Sequence, residues 1–270
     1  MYFSPLSNLL RTNSKLRSKI LMNYFLISMK KRPLENTGSF IVSKIDITVD
    51  GVKFSVPENI NLVEALSHQG IQVPTLCWYQ GMDECLGTCR VCTVKVGGRH
   101  SAACTMKTQK DMTIEFDTDE LKDLRRGVIE LLFVEGNHYC PSCEKSGDCL
   151  LQAQAQDMEM THSRFPYEFN NYDLDFSGKN ILLERNRCVH CKRCTELFSD
   201  DEGHKVFSFI GKGAETRVVF DHEREKKLSP HKAKEAMDLC PVGAILVKGQ
   251  GFSKPYGERK YEKEPLWEKK

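Results

Sequence analysis

The sequence lacks a long hydrophobic run and a large excess of charge of either sign. Among its 270 residues 39 are basic and 37 acidic, for a formal net charge of +2. The best candidate for a membrane segment, residues 20–27, is interrupted by Asn23 and falls well short of the roughly 20 apolar residues that a spanning helix needs. Balanced charge also provides no strongly basic surface of the kind that binds nucleic acid. These absences argue against a membrane-spanning protein and against a DNA-binding sensor.

The motifs of several enzyme classes are missing as well. No G-x-G-x-x-G opens a strand–helix unit, and neither a P-loop nor an H-E-x-x-H motif is present. We therefore expect any flavin or nicotinamide that works with this chain to be bound by a partner protein.

The abundant feature is cysteine. All 12 cysteines lie between Cys77 and Cys240, in three groups that contain pairs spaced by two residues. Thiolates at i and i+3 can point at one centre, so this spacing suits metal ligands better than a set of long-range disulfides. The pattern also indicates a reducing compartment, since disulfide scaffolds belong to secreted proteins.

The pattern along the chain predicts an α+β protein. Strands over Lys44–Val49 and Val52–Val56 flank an Asp50-Gly51 turn, and a helix over Leu62–His68 follows a capping Asn61. A second hairpin (93–103) and a last strand (112–116) complete a unit that we bound at residues 44–118. A helix over 119–135 follows, and it presents an apolar face formed by Leu121, Leu124, Val128, Leu131 and Leu132.

The remaining segments differ in composition. Residues 1–43 form a basic extension, with seven Lys or Arg and no acidic residue up to residue 34. They resemble an organelle presequence, and a misassigned start before Met22 or Met29 is the alternative. Residues 119–160 form a small helical domain with a polar helix over 153–160, 161–179 a linker, 180–248 a second α+β unit, and 249–270 a charged, extended tail.

The first cysteine group has Cys89 and Cys92 as a close pair, with Cys77 upstream and Cys104 downstream. A [2Fe–2S] cluster needs two thiolates on each iron, so we assign these four cysteines to one. Cys85 is an alternative to Cys77, because Cys85-x3-Cys89-x2-Cys92 also fits a cluster. A zinc site is the other alternative, although zinc sites with four cysteines use two Cys-x-x-Cys pairs and only one is present.

The second group contains Cys140, Cys143 and Cys149, one thiolate fewer than a [4Fe–4S] cluster binds. His138 is the nearest candidate for the fourth ligand, with solvent and Asp148 as alternatives. An imidazole in place of a thiolate removes a negative charge and raises the reduction potential, as it does in Rieske centres.

The third group, Cys188, Cys191, Cys194 and the distant Cys240, matches the C-x2-C-x2-C and C-P elements of two-cluster ferredoxins. The cysteine positions of a second such set are occupied by other residues, namely Phe198, Pro230, Ala233 and Ala236. One [4Fe–4S] cluster is therefore predicted here rather than two. Four cations adjoin the predicted ligands and either offset cluster charge or are solvated: Arg90, Lys145, Lys192 and Arg193.

With these motifs in view, the chain resembles the diaphorase gamma subunit of NAD-reducing [NiFe] hydrogenases. It also resembles, more distantly, the N-terminal part of the large iron–sulfur subunit of respiratory complex I. The resemblance runs from about residue 43 to about residue 262, over PTLC, CLGTCRVC, EGNHYCPSCEKSGDC, RFPYEF, LERNRCVHC, CPVGAIL and GERKYE. In the complex I subunit the ligating histidine lies four residues before the first cysteine of its motif. Gly136 occupies that position here, and His138 lies two residues before Cys140.

The resemblance implies a β-grasp [2Fe–2S] ferredoxin domain, a small helical [4Fe–4S] domain with one histidine and three cysteine ligands, and a ferredoxin-like [4Fe–4S] domain. It implies an electron-relay subunit, without a substrate site of its own, in an oxidoreductase that converts H2 and NAD+ to H+ and NADH. The expected partners are a flavin- and NAD-binding diaphorase subunit and the small and large subunits of a [NiFe] hydrogenase. The expected location is the cytoplasm, or an organelle matrix if residues 1–43 are a presequence. The alternatives are a subunit of a complex I-like or formate dehydrogenase complex, and a zinc-stapled scaffold protein.

Overall fold

The computed structural model describes residues 43–82, 84–168, 171–252 and 254–269, and residues 43–270 form one compact unit. The prediction of a presequence therefore lies outside the described residues, apart from Ser43. The strands and α-helices follow in the order β1 (Lys44–Val49), β2 (Val52–Pro57), α1 (Leu62–His68), β3 (Thr93–Val96), β4 (Arg99–Ala102), β5 (Thr113–Glu115), α2 (Asp119–Val134), α3 (Leu150–Asp157), β6 (Ile181–Leu183), α4 (Arg193–Glu196), β7 (Phe207–Ile210), β8 (Arg217–Phe220), α5 (His222–Glu225), α6 (Pro230–Leu239), β9 (Ile245–Val247) and α7 (Lys260–Lys263).

The first five strands form a single mixed sheet with the order β2-β1-β5-β3-β4. Strands β1 and β5 run parallel at its centre, and antiparallel hairpins lie on either side, which is the β-grasp arrangement. Alternate residues of β1, namely Ile45, Ile47 and Val49, are buried, as the alternating pattern predicts for a sheet with one face on the core. The predicted fold class is confirmed.

The turns and caps of this sheet follow from local sequence. Asp50 and Gly51 have φ values of 48° and 82°, the left-handed conformation that a two-residue hairpin requires. Asn61 caps α1 by accepting a hydrogen bond from the Val63 N–H at 3.0 Å. The Asn61 side chain also donates to the carbonyl oxygen of Cys104 at 2.8 Å. The same residue therefore starts a helix and holds a predicted ligand loop.

Helix α2 buries most of the predicted apolar face and two charged residues as well. Leu121 is fully buried, and Val128 and Leu132 pack on the core, whereas Leu131 is 40% exposed. Arg125 and Glu130 are buried. Arg125 donates to the carbonyl oxygens of Thr93 and Phe116, and the Glu130 carboxylate pairs with two arginines, so both charges are compensated inside the protein.

The second half of the chain contains two small antiparallel sheets, β6-β9 and β7-β8. Glu225, at the end of α5, is fully buried and joins them. Its carboxylate accepts the backbone N–H groups of Lys179, Asn180 and Ile181 at 2.5–2.8 Å. This carboxylate orients the chain as it enters β6.

The predicted extended tail is instead folded back on the protein. It contains α7, and Arg259, immediately before that helix, is only 3% exposed. The charged composition of the tail predicted solvation, but Arg259 and Tyr261 find partners on the loop of the second cysteine group. Within the described ranges, none of the helices has both the length and the apolar character needed to cross a membrane.

Candidate metal centres

The first cysteine group is tightly packed around Cys77. Its sulfur lies 3.4 Å from that of Cys89, 3.5 Å from that of Cys85 and 4.0 Å from that of Cys104. The Cys104 N–H points at the sulfur of Cys92, at 3.5 Å. The structure thus brings together all four predicted [2Fe–2S] ligands, together with the fifth cysteine that the spacing left as an alternative.

Backbone conformation places these thiols. Arg90, inside the Cys-x-x-Cys pair, has a φ of 60°, and Gly87 just before the pair has a φ of 65°. A Cβ on Gly87 would lie 2.7 Å from Cγ2 of Thr105 and 4.0 Å from Sγ of Cys104. Only glycine allows the loop to approach Cys104 this closely at that φ.

Contacts between the sulfurs perturb their acidity. Donation from Cys104, Cys85 and Cys89 lowers the pKa of Cys77, because several thiols stabilise one thiolate. The same contact raises the pKa of Cys89, whose thiol is the donor. A metal that binds here must displace the protons of these thiols.

The second group lies on a loop between α2 and α3. Burial raises the pKa of Cys140 and Cys143, and raises that of Cys149 to about 12. The negative charges of Cys140 and Cys143 add to the increase at Cys149, so the three thiols are close enough to repel one another as thiolates. A cationic iron centre removes that repulsion, and these donors therefore fit a cluster.

His138 lies beside this loop. Burial and the charge of Arg187 lower its pKa to about 4, so the imidazole is neutral and able to bind a metal. Its ring lies against the backbone of Gly136, where an added Cβ would be 2.6 Å from Nε2. Asp148, the alternative ligand, has its carboxylate engaged by the Lys260 N–H at 2.8 Å. The role of His138 as fourth ligand stays a prediction.

The third group surrounds an apolar cavity. All four predicted ligands line it, together with mostly apolar side chains and Lys192: Cys188, Cys191, Cys194, Cys240, Val189, Lys192, Phe209, Val218, Val242, Ala244 and Ile245. Burial raises the pKa of the Cys188 and Cys194 thiols and raises that of Cys191 to about 12. Four soft donors around one mostly apolar cavity fit a [4Fe–4S] cluster.

In this loop, residues with a left-handed backbone conformation lie between the cysteine ligands. His190 and Lys192 have φ values of 49° and 60°, which is uncommon for residues with a Cβ. Each such residue costs roughly 1 kcal/mol or more and persists where the surrounding structure requires it. Here the conformation turns three thiols within seven residues toward one cavity.

Three of the four positions that a second ferredoxin cluster would use are filled by packed side chains. Phe198, Ala233 and Ala236 are each fully buried. The aromatic ring of Phe198 packs edge to face on Phe207, at 5.4 Å between centroids. Pro230, at the fourth position, is exposed. One cluster in this domain, rather than two, stays a prediction.

Direct hydrogen bonds connect the first group to the other two. Arg193, beside Cys194, donates to the carbonyl oxygen of Trp78, beside Cys77, at 2.6 Å. Gln154, on the helix that follows Cys149, donates to the carbonyl oxygen of Thr75 at 3.0 Å. Arg193 is 5% exposed and Gln154 is 2% exposed, so both contacts are shielded from water.

The second and third groups pack directly on each other. A Cβ on Gly243, in the Cys-Pro-x-Gly turn, would lie 2.5 Å from Sγ of Cys143 and 3.3 Å from Cβ of Lys145. Lys145 is 4% exposed, and its ammonium donates to the carbonyl oxygen of Met237 at 2.6 Å. A buried positive charge therefore lies between two sets of cysteines, whereas Arg90 is exposed.

The tail completes the surroundings of the second group. Arg259 donates to the carbonyl oxygen of Ser146 at 3.1 Å, and the Tyr261 N–H donates to that of Gly147 at 2.9 Å. The guanidinium of Arg259 also stacks on Tyr256, 3.9 Å from its ring centroid. The sequence did not predict that the tail contacts the second cysteine group, although Arg259 and Tyr261 both belong to the GERKYE motif.

Three family models match the chain in succession. A 2Fe-2S iron-sulfur cluster binding domain matches residues 42–119, and the NADH-ubiquinone oxidoreductase-G iron-sulfur binding region matches residues 125–164. The ferredoxin-like domain of NADH-quinone oxidoreductase subunit 3 matches residues 178–246. The resemblance stated from the motifs is confirmed.

Individual relatives show the same likeness. The chain is 46% identical to the NAD-reducing hydrogenase HoxS subunit gamma of Cupriavidus necator, over 81% of this chain and 93% of that protein. It is 30% identical to the mitochondrial NADH-ubiquinone oxidoreductase 78 kDa subunit of Candida albicans, over 83% of this chain but 32% of that protein. A crystal structure of NAD+-reducing [NiFe]-hydrogenase in the H2-reduced state contains a chain 34% identical to this one. The match has a TM-score of 0.74 and covers 83% of this chain and 95% of that chain.

Proposed function

Because the chain belongs to the family of gamma subunits of NAD-reducing hydrogenases, we propose that it relays electrons between a flavin- and NAD-binding diaphorase subunit and a [NiFe] hydrogenase module. The observation that supports this most directly is the set of contacts among the three cysteine groups. Each group contacts the other two through buried side chains or close backbone packing: Arg193, Gln154, Lys145 and Gly243.

The cofactors proposed are one [2Fe–2S] cluster on Cys77, Cys89, Cys92 and Cys104, and two [4Fe–4S] clusters. The ligands proposed for the latter are His138, Cys140, Cys143 and Cys149 for one, and Cys188, Cys191, Cys194 and Cys240 for the other. When bound, such clusters supply one-electron transfer without bond-making chemistry.

The chain's own residues set the conditions for that transfer. Apolar side chains such as Val242 and Ile245 keep water from the third group, which limits reorganisation when charge changes. Lys145 and Arg193 place positive charge where reduction adds negative charge. Twelve unpaired cysteines suit a reducing compartment, and we propose the cytoplasm, or an organelle matrix.

Metal analysis and spectroscopy test the cofactor assignment. The full chain, reconstituted anaerobically with iron and sulfide, should bind about ten irons, two in the first group and four in each of the others. The reduced chain should show electron paramagnetic resonance (EPR) signals of both cluster types. Stoichiometric zinc without visible absorbance would contradict the assignment and favour a scaffold.

The complex is tested by purifying the tagged chain from its source cells with its partners. Nickel and flavin should accompany the chain, and NADH should bleach its visible absorbance. Molybdenum instead of nickel would indicate a formate dehydrogenase complex. The hydrogenase is favoured over complex I because this chain is 46% identical to the hydrogenase subunit but 30% identical to the complex I relative.

A further inference from the structure

We propose that Cys85 is an alternative ligand of the first centre, able to bind the iron that Cys77 binds. The inference rests on the proposed [2Fe–2S] cluster and extends it, because a [2Fe–2S] cluster uses four thiolates and the structure gathers five. Cys85 is 9% exposed, and it lies among the ligand sulfurs rather than at the surface.

The distances support an exchange of ligands at one iron. Two thiolates on a tetrahedral metal with bonds of about 2.3 Å lie roughly 3.8 Å apart. The sulfur of Cys77 lies 3.4 Å from that of Cys89 and 3.5 Å from that of Cys85, so both pairs are close to that spacing. An iron held by Cys77 and Cys89 would therefore lie near the sulfur of Cys85.

A second observation places Cys85 inside the group and not merely beside one residue. The sulfurs of Cys77, Cys85 and Cys104 all lie within 4.8 Å of one another, so Cys85 faces ligands of both irons. Cys89 and Cys92 lie outside this set of three. Within the set, the sulfur of Cys85 lies 3.5 Å from that of Cys77, so Cys77 is the ligand that Cys85 is positioned to replace.

Cys85 lies between two glycines in the left-handed conformation, Gly81 and Gly87, whose φ values are 90° and 65°. A Cβ on Gly81 would meet no atom within 4 Å, so the start of the loop is open on that side. In the exchange, Cys85 would release its thiol proton to water and bind the iron in place of Cys77, and the released Cys77 thiolate would take up a proton from water, so that the charge at the site is unchanged. No electron is transferred.

Alanine variants of the full chain, reconstituted anaerobically, test the proposal. Cys77→Ala should keep about ten irons and a [2Fe–2S] EPR signal with shifted g values, because a different thiolate binds the iron. Cys85→Ala should resemble the unaltered chain. Cys77→Ala combined with Cys85→Ala should lose the signal and about two irons, and so should the control Cys92→Ala.

Three results would overturn the proposal: loss of the [2Fe–2S] signal in Cys77→Ala alone, its retention in the double variant, or its loss in Cys85→Ala alone. The last result would make Cys85 the resident ligand. The [4Fe–4S] signals in the same samples report whether each variant has folded. Failure of the proposed function is distinguishable, because the unaltered chain would then lack the [2Fe–2S] signal.

Discussion

Replacing Lys145 by methionine should lower the reduction potentials of the second and third clusters together. The Cβ of Lys145 and the sulfur of Cys143 both lie beside Gly243, so the Lys145 side chain starts close to Cys143. Its ammonium donates to the carbonyl oxygen of Met237 in α6, three residues before Cys240. Since Lys145 is 4% exposed, its charge is poorly screened by solvent. Reduction adds a negative charge to a cluster, and a nearby cation stabilises the reduced form.

The size of the effect follows from this geometry. Two unit charges roughly 8 Å apart, at an effective dielectric constant of about 20, interact by about 2 kcal/mol. Because about 1.4 kcal/mol corresponds to about 59 mV for a one-electron couple, each potential should fall by roughly 90 mV. The Asp238 carboxylate lies 3.9 Å from the ammonium and offsets part of its positive charge, so this decrease is an upper value.

Redox titration followed by EPR measures both potentials in one sample. Lys226→Met is the control, since Lys226 is a surface lysine, 54% exposed, whose partner is Glu223 and not Asp238. Its charge is screened, so both potentials should stay close to those of the unaltered chain. Iron analysis checks that the clusters remain bound. An unchanged or raised potential in Lys145→Met would refute the electrostatic role given to this residue.

Two further substitutions test the packing around the clusters. Glu225→Gln removes the charge that orients three backbone N–H groups. Each hydrogen bond should fall from about 1.5–3 kcal/mol to the roughly 0.5–1.5 kcal/mol of a neutral one, so the variant should lose roughly 3–5 kcal/mol. The melting temperature, measured at a fixed scan rate, should then fall by roughly 10 °C. Glu223 is exposed, so the control Glu223→Gln should melt within a degree or two of the unaltered chain. Equal melting temperatures in the two variants would contradict the role of Glu225. Arg259→Ala should free the tail, so that a chelator removes iron from the second cluster several-fold faster while the first cluster is unaffected. Lys260→Ala keeps the backbone contact to Asp148, so the chelator should remove iron from it at the rate of the unaltered chain. Equal rates in both variants would argue that Arg259 does not protect the second cluster.

Much of the fold could be predicted because its signals are local. The β1–β2 hairpin followed from alternation and an Asp-Gly turn, and α1 followed from its Asn61 cap. Helix α2 was placed within one residue, yet its apolar pattern did not show that two charged residues are also buried. Arg125 and Glu130 are buried because backbone carbonyls and Arg164 compensate their charges, and those partners come from segments remote in sequence.

The sequence by itself determined which residues are candidates for binding metal, because ligand type and short spacing are written along the chain. Cys188, Cys191 and Cys194 lie within seven residues, and their loop needs only two left-handed residues to converge. Only the tertiary structure decided how the groups meet. Contacts such as Arg193 with Trp78 and Arg259 with Ser146 join residues more than 100 positions apart. Such contacts depend on the packing of whole domains, which the spacing of a motif does not encode. The same packing brought Cys85 and Cys77 together, where spacing had treated them as competitors.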